Sequence, residues 1–312
     1  MTEPQQGLSY DEVLACARTA EHAGLEAYFR SDHYASFPGP DGEPTTDAWA
    51  TLAGLARDTT RIHIGTLVSP VTFRLPGPFA KLVTTVDEMS GGRVEVGLGA
   101  GWHDAEHAQL GIPFPELGER YAMLEESVEI LHGLWTQPDG WTFSGRHWRV
   151  DGSHFHARPS AWRTDGSHPN IILGGRGGPR QARLVARFAD EFNLTSASPQ
   201  GARAAYRRID DACRDAGRDP GSVCHSAMTG VLIAETQEEL RDRIRQLLDV
   251  TAAGSSDAEA WLAQRRTRWV IGTLDEAGER LHEFAAAGVE RVMLQDFIPL
   301  DLDMIRLMGR LA

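Results

Sequence analysis

The chain has 312 residues, of which 41% are hydrophobic and 24% are charged, and these proportions are ordinary for a globular protein with a large buried core. Its net charge of −13 argues against binding to nucleic acids or to anionic membrane surfaces, because both need a positively charged surface. No apolar run approaches the roughly 18 residues that a membrane-spanning helix needs, and the N-terminus has no signal pattern, so we expect a cytoplasmic protein without a membrane partner.

Helical and strand patterns alternate along the first 135 residues. Ser9 is a suitable N-cap for the first helix, because apolar residues follow it at helical spacing and Gly24 ends the pattern. The other segments are assigned in the same way, from periodicity and from the turn residues that flank them. The pattern predicts helices over 9–23, 46–58, 78–89 and 120–135, and strands over 27–30, 62–68 and 94–98.

The alternation is interrupted at 137–168, where Pro, Gly, Ser, His and aromatic residues are mixed. We interpret this segment as an insertion that carries a hairpin. The alternation then resumes to the end of the chain, with a polar break around Gly254-Ser255-Ser256. The pattern predicts strands over 170–173, 191–194, 226–234 and 291–294, and helices over 180–189, 202–216, 237–251 and 275–287.

This strand–helix alternation indicates a single α/β domain over 1–312, with a parallel sheet covered by helices. Seven strands are predicted, whereas a closed (β/α)₈ TIM barrel needs eight. The missing strand should precede the first helix, where only Met1–Gly7 is available. We therefore expect a barrel with a truncated first strand, so that either the true start lies upstream or the barrel closes imperfectly. Unpaired strand edges favour association, which leaves a homodimer open.

Three glycines lie at the end of the strand predicted over 94–98, in the segment Glu95-Val96-Gly97-Leu98-Gly99-Ala100-Gly101. Glycines at a strand end let backbone amides approach a ligand without interference from a Cβ atom. The spacing also fits the turn of S-adenosylmethionine methyltransferases, or a tight turn without a ligand. Against the methyltransferase, two βα units come first, and no strand ending in an acidic residue follows about 20 residues on.

A second glycine-rich turn, Gly174-Gly175-Arg176-Gly177-Gly178, lies between a predicted strand and a predicted helix. Four glycines around an arginine can form a nest of amides next to a helix N-terminus, which is a ready anion site. In a TIM barrel, phosphate sites often lie at such late βα loops. The alternative is a flexible turn in which Arg176 is solvated.

Asp32-His33 follows the first predicted strand, where the active sites of barrels gather. A histidine can exchange a proton with a reacting group near neutral pH, although a lone histidine is more often structural. No metal site is predicted, because no carboxylate or cysteine joins the remaining histidine cluster and the cysteines lack metal spacing. That cluster consists of His147, His154 and His156.

Taken together, these motifs resemble the luciferase-like monooxygenase superfamily, and more closely its F420-dependent branch of actinobacterial type. The resemblance covers nearly the whole chain and is most specific from Arg30 to Arg120. The motifs that carry it, in chain order, are Ser31-Asp32-His33-Tyr34, Thr46-Asp47-Ala48-Trp49, Ile64-Gly65-Thr66-Leu67-Val68, Phe73-Arg74-Leu75-Pro76, Asp87-Glu88-Met89-Ser90-Gly91-Gly92-Arg93, Gly97-Leu98-Gly99-Ala100-Gly101-Trp102 with Glu106 and Gly111, Gly174-Gly175, and Ala186-Arg187-Phe188-Ala189-Asp190-Glu191.

The resemblance implies a bacterial-luciferase-like barrel whose C-terminal face holds the ring of F420, or alternatively of FMN. Leu67-Val68 matches the position of a bulge with a non-proline cis peptide that is pressed against the ring. Gly99 and Gly101 would lie beside the polar edge of the ring, and Gly174, Gly175, Arg176, Gly177 and Gly178 would cradle the cofactor phosphate. His33 matches the frequent active-site histidine of the family, and Asp32 would contact the ring or hold that histidine in place.

One departure from the family pattern concerns the substrate. Sugar-phosphate dehydrogenases of this superfamily carry a carboxylate general acid directly after the Gly-x-Gly turn, whereas Trp102 occupies that position here. Glu106 lies one helical turn further on and could take its place in catalysis, or could form a structural ion pair. The resemblance therefore implies an F420-dependent oxidoreductase acting on a small organic molecule. The alternatives are an FMN-dependent monooxygenase, a non-catalytic flavin-binding protein and the methyltransferase.

Overall fold

The computed structural model describes residues 1–37, 42–156, 158–163, 167–196, 198–251 and 258–312. Strands and helices alternate along these residues, as the sequence predicts. The strands are β1 Ala27–Arg30, β2 His63–Pro70, β3 Val94–Gly99, β4 Trp141–Ser144, β5 Arg149–Ser153, β6 Asn170–Gly175, β7 Glu191–Thr195, β8 Cys224–Ala234, β9 Val270–Thr273 and β10 Arg291–Gln295.

The helices cover the outside of the sheet. They are α1 Tyr10–His22, α2 Ala48–Asp58, α3 Pro76–Ser90, α4 Asp104–Gln109, α5 Leu117–Thr136, α6 Pro179–Phe188, α7 Pro199–Asp215, α8 Gln237–Val250, α9 Ala258–Arg266, α10 Leu274–Ala286 and α11 Leu302–Gly309. The predicted N-cap of α1 is confirmed, because the side chain of Ser9 accepts from the Glu12 N–H and the Glu12 carboxylate accepts from the Ser9 N–H. No helix in the described ranges is long and apolar enough to span a membrane.

Eight parallel strands form the main sheet in the order β1-β2-β3-β6-β7-β8-β10, and β9 pairs with β8. The long strand β8 serves two neighbours, since residues 226–230 pair with β10 and residues 231–234 pair with β9. The prediction of seven strands is therefore wrong by one, because β9 was not predicted. The hairpin expected within 137–168 is confirmed as the antiparallel pair β4–β5. The predicted break around 254–256 lies outside the described residues.

A single residue bridges the two ends of the strand order. Thr2 makes one isolated bridge to Arg30, the last residue of β1, and another to Asp296, which directly follows β10. The Thr2 N–H donates to the Phe29 carbonyl at 3.0 Å, and the Asp296 N–H donates to the Met1 carbonyl at 2.9 Å. No strand precedes α1 in the described part of the chain, in agreement with the expected truncation of the first strand. The homodimer stays a prediction.

Three charged side chains lie together where β3, β7 and β10 begin, at the N-terminal end of the barrel. Arg291 Nη1 lies 2.6 Å from Glu95 Oε2 and 2.9 Å from Glu191 Oε2, and both carboxylates are buried. Burial raises the pKa of Glu95, but its interactions with His63 and Arg291 outweigh burial and lower the pKa to about 2. Arg291 therefore neutralises charge that burial would otherwise penalise strongly.

Replacing Arg291→Met should destabilise the fold by about 3–5 kcal/mol at pH 7, because it leaves two buried carboxylates without their cation. The loss should be largest at neutral pH and should shrink as the pH falls towards 2, because the carboxylates of the variant become protonated and no longer need a cation. Glu191, whose pKa burial raises, loses its charge first, whereas His63 and Arg291 help to lower the pKa of Glu95 to about 2 in the unchanged protein. Urea denaturation between pH 7 and pH 3 measures both effects.

The matched control is Arg306→Met, which removes the same side chain from an exposed ion pair with Asp303. Surface pairs of this kind contribute less than about 1 kcal/mol. Equal losses in the two variants would contradict the structural role of Arg291.

Candidate functional site

A cavity of about 540 Å³ opens at the C-terminal ends of the barrel strands, and its size suits a cofactor together with a small ligand. Binding sites of barrels gather at this face. The lining residues are Met1, Glu3, Ser31, His33, Phe37, Leu67, Val68, Pro70, Gly99, Ala100, Gly101, Trp102, Leu117, Tyr121, Gly174, Gly175, Arg176, Asn193, Thr195, Ser196, Met228, Gln295 and Phe297. Among the predicted site residues, Asp32, Glu106, Gly177 and Gly178 are not in this lining.

The floor of the cavity contains the predicted irregularity in β2. The Leu67–Val68 peptide bond is cis, as expected from the resemblance, and the pairing of β2 with β3 shifts register between Thr66 and Ser69. The Val68 side chain then lies over glycines of two neighbouring strands. A Cβ atom at Gly99 would come within 2.7 Å of Val68 Cγ2, and one at Gly174 within 2.9 Å of Val68 Cγ1. These glycines therefore make room for Val68.

His33 and Glu106 form a pair at one side of the cavity. His33 Nδ1 lies 2.9 Å from Glu106 Oε1, and the Tyr34 N–H donates to Glu106 Oε2 at 2.9 Å. Burial raises the pKa of Glu106, but the hydrogen bonds from His33 and Tyr34 outweigh it, so that the pKa lies below its ordinary value. An ionised carboxylate can only accept, so His33 donates through Nδ1 and its Nε2 remains available for proton exchange.

Glu106 is 1% exposed, whereas His33 lies in the cavity wall. The structure shows the ion pair that the sequence left open for Glu106, since its carboxylate faces the His33 ring and the backbone that follows it. A role for Glu106 as the acid at the substrate stays a prediction.

Asp32 lies behind His33 in a buried ion-pair network. Arg74 donates from Nη1 to Asp32 Oδ2 at 2.6 Å and from Nη2 to Asp47 Oδ2 at 2.6 Å, and the Ser69 hydroxyl donates to Asp32 Oδ2 at 2.6 Å. Burial lowers the pKa of Arg74, but the two carboxylates outweigh burial and raise it. Asp32 is fully buried, so the structure places it beneath the site and not against a bound ring. The network holds the loop that carries His33.

The glycine-rich turn after β6 is tied to the helix that follows it. The Gly177 N–H donates to Gln181 Oε1 at 2.9 Å, and Gln181 Nε2 donates to the Gly174 carbonyl at 2.8 Å. Gly177 has a positive φ of 65°, and a Cβ atom there would lie 3.1 Å from the Phe192 ring. Gly177 therefore shapes the turn, and its amide already has a partner within the protein.

Arg176 is exposed at the rim of the cavity. It makes no hydrogen bond or ion pair with any described residue, so its guanidinium is available to an anion. Arg180 differs, because its Nε and Nη2 atoms donate to the two oxygens of the Glu125 carboxylate, each at 2.7 Å. The rim thus offers one uncommitted cation next to the N-terminus of α6.

Several lining residues were not predicted from the sequence. Glu3 Oε1 accepts from Gln295 Nε2 at 2.6 Å, and Glu3 Oε2 accepts from Gln5 Nε2 at 2.6 Å. Thr195 and Ser196 lie at the end of β7 with exposed side chains. Their position directly after a predicted strand was a signal that could have identified these two. Glu3 had no such signal, because no strand pattern precedes it.

Comparisons with known proteins add independent observations. The sequence profile described as "Luciferase-like monooxygenase" matches residues 1–291. A protein of Nakamurella multipartita named F420-dependent glucose-6-phosphate dehydrogenase is 35% identical over 187 residues, 59% of this chain and 52% of that protein, so the chain spans about half of that relative's length. A protein of Pseudomonas fluorescens named FMNH(2)-dependent dimethylsulfone monooxygenase is 26% identical over 319 residues, 92% of this chain and 82% of that protein.

Among solved structures, one described as an F420-dependent secondary alcohol dehydrogenase in complex with an F420-acetone adduct has a TM-score of 0.80. Its sequence is 21% identical, and the match covers 96% of this chain and 93% of that chain. At this identity, the likeness concerns the fold.

Replacing Gly99→Ala should destabilise the protein by about 1–3 kcal/mol, the usual cost of forcing an extra methyl group into packed surroundings. The nearest atoms to the added Cβ all belong to Val68, so the same substitution in a Val68→Ala background should cost much less. A double-mutant cycle measured by urea denaturation tests this coupling.

Gly278→Ala is the control, because the structure leaves open space around this position in α10 and alanine favours a helix. It should be neutral or stabilising. An unchanged cost of Gly99→Ala in the Val68→Ala background would show that the glycine does not serve the Val68 side chain.

Proposed function

Since the chain belongs to the luciferase-like monooxygenase family, we propose that it is an oxidoreductase that exchanges a hydride between F420 and a small organic molecule in this cavity. The observation that carries the proposal is the arrangement of the cavity itself. An apolar floor at the Leu67–Val68 cis peptide, an uncommitted Arg176 at the rim and a histidine with a fixed tautomer are brought together there.

The residues present fit a tricyclic ring that carries a phosphate. Leu67 and Val68 offer an apolar surface for a flat ring, and the glycines at the ends of β3 and β6 leave the wall free of bulky side chains. Arg176, with the hydroxyls of Thr195 and Ser196, would hold the phosphate. The cofactor supplies the hydride chemistry when it is bound, and the protein supplies orientation and electrostatics.

F420 is preferred to FMN on the strength of the relatives. The relative of Nakamurella multipartita, 35% identical, carries F420 in its name, whereas the relative of Pseudomonas fluorescens, 26% identical, carries FMNH(2) and supports the alternative. The lining of the cavity would suit either cofactor, because both carry a tricyclic ring and a phosphate. The net charge of −13 gives no long-range attraction to the acidic tail of F420, so recognition has to be local.

Hydride exchange with an alcohol or carbonyl group also requires a proton to leave or reach its oxygen, and a side chain of this protein has to transfer that proton. His33 Nε2 is the group that can accept or return that proton, because Nδ1 is committed to Glu106. Glu106 is a positioning residue, because its carboxylate accepts from His33 Nδ1 and so fixes the tautomer and the orientation of the imidazole. Phe37 and Trp102 pack edge-on against the His33 ring and help to hold its orientation.

Titration of the apoprotein with F420 and with FMN, followed by ring fluorescence, tests the choice of cofactor. We expect the dissociation constant for F420 to be the lower of the two. A constant for FMN that is tenfold lower, about 1.4 kcal/mol, would overturn the choice and restore the oxygen-using monooxygenase. Absence of binding for both cofactors would instead favour a non-catalytic or different function.

The same titration locates the phosphate site. Arg176→Met should raise the dissociation constant by about tenfold or more, because a charge-assisted hydrogen bond to an anion contributes about 1.5–3 kcal/mol. Arg183→Met removes an equal charge from an exposed position on α6 that does not line the cavity, and should have little effect.

His33→Ala should lower turnover by about tenfold or more, while the affinity for the cofactor changes much less, because the imidazole serves proton transfer and not ring binding. Glu106→Gln should also lower kcat while cofactor affinity changes little, because the carboxylate that accepts from Nδ1 and orients the imidazole is lost. A collapse of cofactor affinity in His33→Ala with unchanged turnover at saturation would assign His33 to binding.

A further inference from the structure

We infer that the part of the cavity formed by His33, Phe37, Trp102 and Leu117, here called the aromatic side, takes an uncharged, largely apolar alcohol or ketone and does not take a sugar phosphate. Trp102 is the residue that sets this specificity. The inference rests on the proposed function, because it assigns the opposite side of the cavity to the cofactor.

The distribution of positive charge excludes a phosphorylated substrate from the aromatic side. Every arginine and the single lysine of the chain lie within the described ranges, since residues 38–41, 157, 164–166, 197 and 252–257 contain neither type. Arg176 is the one basic side chain, histidine aside, that lines the described cavity. It follows β6, and β2 and β3 separate β6 from β1, the strand that leads to His33.

Two arginines that lie outside the cavity lining, Arg74 and Arg120, already have partners within the protein. Arg74 is held by the carboxylates of Asp32 and Asp47, each at 2.6 Å. Arg120 donates to the carbonyl of Ala100 at 3.0 Å and lies over the Phe114 ring at 3.7 Å. When Arg176 binds the phosphate of the cofactor, no second arginine or lysine of the described cavity lining remains for another phosphate. The phosphate of a sugar would therefore lose hydration there without gaining a basic side chain in exchange.

The surface that remains is apolar and exposed. Trp102 is 63% exposed and Leu117 is 52% exposed, although both belong to the cavity wall. Large apolar side chains that are exposed together mark binding surfaces, because covering them releases the cost of their hydration. Phe37 contacts both His33 and Trp102 edge-on, with ring centroids 4.4 and 5.2 Å away. An apolar ligand at these rings would present its oxygen to His33.

Binding of cyclohexanol and of glucose 6-phosphate to the F420-loaded protein tests the inference, with saturation-transfer NMR as the readout so that no turnover is needed. We expect cyclohexanol to bind and glucose 6-phosphate to bind at least tenfold more weakly. Trp102→Ala should weaken cyclohexanol binding about tenfold, whereas Trp102→Phe should restore most of it. Because Trp102 is largely exposed, both variants should fold, and circular dichroism checks this.

Leu110→Ala is the control, since Leu110 is 55% exposed but does not line the cavity, and it should leave binding unchanged. Tighter binding of glucose 6-phosphate than of cyclohexanol, or an equal loss in Trp102→Ala and Leu110→Ala, would overturn the inference. The F420 titration is read separately by ring fluorescence. Failure of that titration refutes the proposed cofactor, whereas failure of the NMR test with F420 bound refutes only the substrate class.

Discussion

Two buried carboxylates control the geometry of the cavity, because a carboxylate that has left water must find partners for its charge. Asp32 and Glu106 are 0% and 1% exposed. Asp32 directly precedes His33 in the chain, and Glu106 contacts the His33 ring. Asp32 is neutralised by Arg74, which also ties down Asp47 at the start of α2. Glu106 takes its donors from His33 and from the backbone of Tyr34.

The consequence is that the catalytic candidate is held by interactions that reach across the fold. The partner of His33 is 73 positions away in the chain, and the Asp32–Arg74 contact spans 42 positions. The parallel pairing of β1, β2 and β3 brings these residues together, because each of them follows the C-terminal end of one of these strands. A shift in the packing of β1 against β2 would therefore move His33 Nε2. Ion pairs and hydrogen bonds oppose such a shift because they are directional, whereas apolar contacts alone are not.

Much of the fold could be predicted because its local signals agree with its tertiary structure. The N-cap at Ser9 and the strand Ala27–Arg30 lie where the sequence indicates them. The strand β9 was missed because its four residues, Val270–Thr273, are followed at once by α10, and such a short apolar run carries no period of its own. Thr2 was not predicted to pair, because an isolated bridge depends on neighbours and not on local sequence.

The site divides in the same way. The cis peptide at Leu67–Val68 and the glycines around it could be predicted, since a resemblance to a family transmits backbone features well. The choice between the two roles offered for each of Asp32 and Glu106 could not, because the sequence shows that a carboxylate is present but not what it faces. The sequence likewise shows Phe37 and Leu117 only as ordinary apolar residues. Their position in the cavity wall, which only the structure shows, makes them candidates for ligand contact.

The two ends of the barrel thus carry separate tasks. At the N-terminal end, Arg291 lies between Glu95 and Glu191 in a neutralised cluster that has no opening to the cavity described above. At the C-terminal end, Trp102 and Leu117 expose apolar surface at the same cavity that Arg176 lines, and apolar surface gathered in this way marks a binding site. The charged cluster and the described cavity share no lining residue, so a substitution at the open face leaves the contacts of Arg291 with Glu95 and Glu191 in place.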